Sequence, residues 1–206
     1  MLFTFGAVCV AQTRNQAGCS DLKWNYRHSD ELSWKQSISR NKRISASERA
    51  RLSKAISQAV DDESVPPEKL KTVVDESRIK YLDLNGDKQP EVIVQAGSDD
   101  YCSPTGNCSF WVFRRAGDEY ELLLAARATQ TYTVQPSSSH GLHDLILTQH
   151  GSAFESGGFE YRFDGNTYHL HRSFTVRWSS LPDQGEPQPL KEPLFTDCAT
   201  VKAEVR

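Results

Sequence analysis

The sequence predicts an α+β fold, with N-terminal helices packed on an antiparallel β-meander of about six to eight strands and disulfides closing the chain. Three observations carry that expectation. Helical periodicity is confined to residues 29–77, and from residue 78 onward short period-two runs alternate with hairpin residues. An even set of four cysteines, Cys19, Cys102, Cys108 and Cys198, follows the apolar start of the chain.

The first eleven residues, MLFTFGAVCVA, are apolar and end in small residues before the polar QTRNQ. They read as the remnant of a secretory signal peptide cleaved after Ala11, which takes Cys9 with it, and they are too short to span a bilayer. Residues 12–77 form a helical region. Ser45 and Glu48 have the spacing of a capping box, and Leu52, Ile56, Ala59 and Val60 make one apolar stripe behind it. Pro66 and Pro67 suit the first turn of a second helix carrying Leu70, Val73 and Val74. An earlier helix is expected around residues 31–39.

Residues 78–178 read as an antiparallel β domain. Strands are expected at 78–84, 90–96, 108–115, 119–127, 130–135, 143–149, 158–163 and 167–174. Gly117–Asp118 and Asp164–Gly165 supply hairpin turns. In FEYRFDGNTYHLHRSF, Phe159, Tyr161 and Phe163 share one side. Residues 179–206 are Pro-rich between Pro182 and Pro193 and are expected to lie over the surface as a strap ending near Cys198.

Cys102 and Cys108 enclose SPTGN, whose Pro104 and Gly106 favour a turn, so a local bridge is expected there. That leaves Cys19 to pair with Cys198. Closing so long a loop stabilises by on the order of 4 to 5 kcal/mol in the chain-entropy model. Disulfides imply an oxidising, secreted or periplasmic location, and no C-x-x-C pair supports a zinc ribbon or a thioredoxin-like site.

Composition sets outer bounds. A chain of 206 residues with 37% hydrophobic and 25% charged residues can bury a sizeable core and is not of disordered type. The formal charge of −3 hides a division: residues 14–54 carry ten Lys/Arg against four Asp/Glu. A bias of this kind ordinarily marks a solvated helix face, and no nucleic-acid motif accompanies it. No segment reaches transmembrane length.

The stretch that implies chemistry is YLDLNGDKQPEVIV, residues 81–94. Asp83, Asn85 and Asp87 offer side-chain oxygens at alternate positions, Gln89 a backbone carbonyl and Glu91 a further carboxylate, which is the donor set a hard cation such as calcium requires. Gly86 permits the positive φ that folds the chain around an ion. An EF-hand loop wants Gly sixth and a carboxylate twelfth, where this chain has Lys88 and Val94, so that motif is excluded. From Asp83 to Glu91 the segment resembles the D-x-[DN]-x-D-x-x-x-[DE] loops of FG-GAP and VCBS repeats. The resemblance implies a calcium ion held between two strands, with Lys88 standing where those loops usually carry Gly and with no second copy to build a propeller. An Asp/Asn/Gly turn without metal uses the same residue types.

Histidines offer a catalytic alternative. His140, His143, Asp144 and His150 gather around one turn and the strand after it, and a hydrolase would draw on His140, His143 and His150. Asp144 follows His143 directly, so on a strand the two point to opposite faces. His169 and His171 share a face two residues apart. Among the aromatic residues, adjacent Phe110 and Trp111 must also face opposite ways. A sheet covered on both sides accommodates them, whereas an exposed platform would suit sugar or peptide recognition. The functional expectation is an exported, non-catalytic binding or interaction domain with a calcium-stabilised loop beside the Cys102–Cys108 loop, its partner a protein or an envelope glycan. A periplasmic inhibitor or immunity protein acting on a cell-wall enzyme is a second form of the same expectation.

Overall fold

The computed structural model describes residues 19–23, 37–60, 66–179 and 189–201. The expected signal remnant, residues 31–36 of the expected first helix, and residues 180–188 and 202–206 of the expected strap lie outside them. Of that first helix, the described part is a 3-10 turn at Ile38–Arg40.

Helix α1 (Ala46–Ala59) starts where the capping box predicts, with the Ser45 hydroxyl oxygen accepting from the Glu48 amide at 3.1 Å. Helix α2 (Pro67–Glu76) opens on its proline, which has no N–H to leave unsatisfied in the first turn. Nine strands follow among the described residues: β1 (Arg78–Leu82), β2 (Glu91–Gln95), β3 (Cys108–Ala116), β4 (Glu119–Thr129), β5 (Thr131–Ser139), β6 (Leu142–His150), β7 (Glu155–Phe163), β8 (Tyr168–Ser179) and β9 (Pro189–Thr200).

The strands make two antiparallel sheets rather than one meander. The first is ordered β1-β2-β3-β4 and the second β5-β6-β7-β8-β9, so within each sheet every strand bonds to its neighbours in sequence. The chain changes sheet at a corner. Ala128 takes a positive φ of 57°, and the Gln130 amide already donates to Thr148 of the second sheet at 2.7 Å. Period-two alternation marks residues that share a face, but it carries no mark of such a transfer.

Burial follows the alternation across the layers. Val92, Val94, Trp111 and Phe113 turn one face of the first sheet to Leu52, Ile56, Val73 and Val74 of the helices. Ile93, Phe110 and Val112 turn the other face toward Tyr132, Leu145, Leu147, Phe163 and Tyr168 of the second sheet. Every residue of β2 is therefore buried, and Phe110 and Trp111 are 1% and 3% exposed on opposite faces. They form covered core, not an exposed aromatic platform. A third cluster on the far side of the second sheet joins Ile146, Phe174 and Val176 to Leu22 and Cys19.

Both expected disulfides are present, Cys19–Cys198 and Cys102–Cys108. The strap expectation is corrected over Pro189–Thr200, which is β9, bonded to β8 with Val176 opposite Phe195 and Arg177 opposite Leu194. Its prolines misled the sequence reading. A strand at the edge of a sheet tolerates proline because one of its sides needs no N–H for the ladder.

Candidate metal centre

Residues 83–90 link β1 to β2. The Asp83 carboxylate organises the loop, one oxygen accepting from the Gly86 amide at 2.7 Å and the Asn85 amide at 3.3 Å, the other from the Lys88 amide at 3.0 Å. The Asn85 side chain accepts from the Asp87 amide at 3.0 Å and donates to Asp87 at 2.9 Å, and Asp87 in turn accepts from the Gln89 amide at 2.6 Å. Gly86 takes φ 78°, as the tight turn requires, and Lys88 takes φ 68°, a left-handed conformation that glycine adopts at less cost.

Leu84 is the loop's apolar member and is fully buried between the sheets. Its amide donates to the Glu91 carboxylate at 2.8 Å, and its carbonyl accepts from the His143 amide of β6 at 2.8 Å. Tyr168 continues the chain of contacts, its hydroxyl donating to the His143 carbonyl at 2.7 Å. The loop is thus pinned to the second sheet through residues that its acidic pattern did not single out. A lone Leu inside a polar loop was the available signal.

The acids of the loop divide electrostatically. Slight desolvation pushes the Asp83 carboxyl up, but the amides of Lys88, Gly86 and Asn85 outweigh it and hold it below the usual carboxylate range. Glu91 behaves oppositely. It is 1% exposed, burial pushes its carboxyl up, the Leu84 amide offsets part of that, and the charges of Asp87 and Asp83 push it up further. Among the described residues no three His, Cys, Asp or Glu side chains are already grouped for chelation. Instead the loop's acids bond to its own amides. The donors nonetheless suit a hard cation: Asp83, Asp87 and Glu91 converge closely enough to repel, and an ion would bring its own charge to the buried member.

The remaining candidates are dispersed. The 96–107 segment with the Cys102–Cys108 bridge leaves β2 at the end opposite the 83–90 loop, so the five residues of β2, roughly 17 Å of strand, separate two loops expected side by side. His140 lies in the turn before β6 and His150 is the last of its nine residues, about 27 Å of strand away. The His140 Nδ1 meets the Phe163 carbonyl at 2.9 Å, the His143 Nδ1 meets the Ser137 carbonyl at 3.3 Å, and the His150 amide donates to Asn107 at 2.7 Å. His169 is engaged by its own turn, with Nε2 2.9 Å from Asp164. The structure therefore does not assemble the histidines into the constellation expected of a hydrolase.

No protein-family model, curated protein or solved structure matches the chain. Among the described residues no helix is long and apolar enough to cross a membrane.

Proposed function

We propose that the chain is an exported, non-catalytic binding or interaction domain whose 83–91 loop is fixed by a calcium ion. The observation that carries this reading is Glu91, a carboxylate 1% exposed whose charge is opposed by burial and by Asp87 and Asp83. A divalent cation held by Asp83, Asn85, Asp87, Glu91 and the Gln89 carbonyl would neutralise that cluster, and the FG-GAP-like spacing of the same residues supports it. The ion's role is structural, because the loop seats Leu84 between the two sheets. Two disulfides support an oxidising, secreted or periplasmic setting, in which the partner is a protein or an envelope glycan.

The test is thermal unfolding of chelated protein against added calcium. A hundredfold excess over Kd stabilises by about 2.7 kcal/mol, or roughly 5 to 10 °C in a chain of this size. The Asp83→Ala, Asp87→Ala double variant is expected to lose the rise. An unchanged Tm in the wild type removes the ion from the reading.

A further inference from the structure

The first helix is shorter than the strand beside it. α1 has 14 residues, about 21 Å, whereas the 11 residues of β4 extend about 37 Å. Lys54 pairs with Glu119 at 2.7 Å and Arg51 with Asp118 at 3.7 Å, which sets α1 beside the start of β4. The last third of β4 outruns the helix. Ala125, directly opposite Trp111 in the ladder, is exposed there, and so is Arg127.

Small side chains at Ala59, Ala125 and Ala128 leave that space open. A cavity of about 790 Å³ lies between the end of α1, the start of α2 and the disulfide-closed loop. Its size is that of a small-molecule site. The walls are fixed by covalent and polar links: the Cys102–Cys108 bridge, the Ser103 amide donating to the Asn107 carbonyl at 2.7 Å, and buried Asn107. The Asn107 side chain accepts from the His150 amide at 2.7 Å and donates to the His150 carbonyl at 3.1 Å. Trp111 lines this cavity. Of the charged lining residues, Lys69 and Asp100 pair at 3.3 Å, while Arg127 has no acidic partner among the described residues.

We propose that this cavity binds a small carboxylate with a ring-sized body, the carboxylate on the Arg127 guanidinium and the body against Ala59, Ala125 and Ala128. An arginine fork takes a carboxylate through two parallel N–H bonds, and the apolar lining accepts the body. The inference rests on the reading of the chain as a binding domain but not on the ion, since the cavity lies at the other end of β2 from the loop.

Calorimetric titration with D-glucuronate and with 4-hydroxyphenylacetate, glucose serving as the neutral control, tests it in both calcium and chelator. At least one carboxylate is expected to bind the wild type with Kd of about 1 mM or tighter. Glucose should bind tenfold more weakly or not at all. Arg127→Gln, which removes the charge, and Ala125→Leu, which fills the floor, should each weaken binding tenfold or more; both positions are exposed, so the fold is retained and is verified by Tm. Which carboxylate binds identifies the source as a sugar acid or an aryl acid. Absence of binding by both carboxylates, equal binding by glucose, or unchanged binding in the two variants overturns the proposal. Failure of the calcium reading shows separately, as a Tm that calcium does not move, and leaves the titration in chelator unaffected.

Discussion

Glu91 concentrates the physical conflict of the loop on one side chain. Its carboxyl is raised, by burial first and by Asp87 and Asp83 as well, so ionisation costs the ion-free fold. A raised carboxyl contributes stability that is complete below its unfolded value and is lost as pH rises through the folded one. Without calcium, Glu91→Gln is therefore expected to match or exceed the wild type in Tm at pH 7, with the advantage vanishing in acid below the usual Glu range. With calcium the proposed site predicts the reverse order, because the ion would need the ionised group. Melting curves with chelator and with calcium across that pH range check both signs. At this scale the sequence was informative, since the odd spacing of Asp83, Asn85, Asp87 and Glu91 marked the loop directly. Its hold on the second sheet through Leu84 and His143 was not visible, because those residues are distant in sequence and the bonding groups are backbone.

Among the elements, α1 is tied to two strands at once through one of its carboxylates. Glu48 lies on the first turn and accepts from the hydroxyls of Tyr81 on β1, at 3.2 Å, and Tyr120 on β4, and from Arg51 at 3.2 Å. Burial pushes the Glu48 carboxyl up, but the bonds from Tyr120, Arg51 and Tyr81 outweigh it and lower it, while burial and the Glu48 charge raise Tyr81 to about 12. A lowered carboxyl stabilises above its unfolded value and loses that contribution as pH falls through the folded one. Glu48→Gln should thus cost about 1 kcal/mol at pH 7, the gap to wild type closing below about pH 4, as measured by urea unfolding. Ser45 and Glu48 were legible as a capping pair, since both lie within four residues. The tyrosines that complete the clamp come from strands 33 and 72 positions away, which no local pattern encodes. The histidine cluster failed for the converse reason: a strand over 143–149 already places His140 and His150 at its two ends, and closeness in sequence concealed that distance.

For the molecule as a whole, the alternation of apolar residues and the pairing of cysteines were readable, whereas the division into two sheets was not. The corner at Ala128 and Gln130 is made by backbone conformation, and β9 was hidden behind its prolines. The two bridges differ widely in what they constrain. Cys19–Cys198 joins positions 179 apart and Cys102–Cys108 positions 6 apart, so loop entropy assigns about 5 and about 2 kcal/mol to them. Replacing Cys19 and Cys198 by Ser should accordingly lower the unfolding free energy by more than twice the loss seen in the Cys102→Ser, Cys108→Ser protein. Denaturant titration of the two variants measures the ratio.

The placement of the short bridge bears on how the chain is oxidised as it is made. Because β1 to β4 pair only with one another, that sheet can form before β9 has been synthesised, whereas Cys19 must wait for a partner on the final strand. The four cysteines of the two bridges permit three pairings among themselves. If it closes before β9 is made, the short bridge across a sequence separation of 6 withdraws Cys102 and Cys108 from competition and, of the four bridge cysteines, leaves Cys198 for Cys19. A chain lacking either member of the short pair would expose Cys19 to a nearer, wrong partner throughout its emergence, so the smaller bridge protects the assembly of the larger.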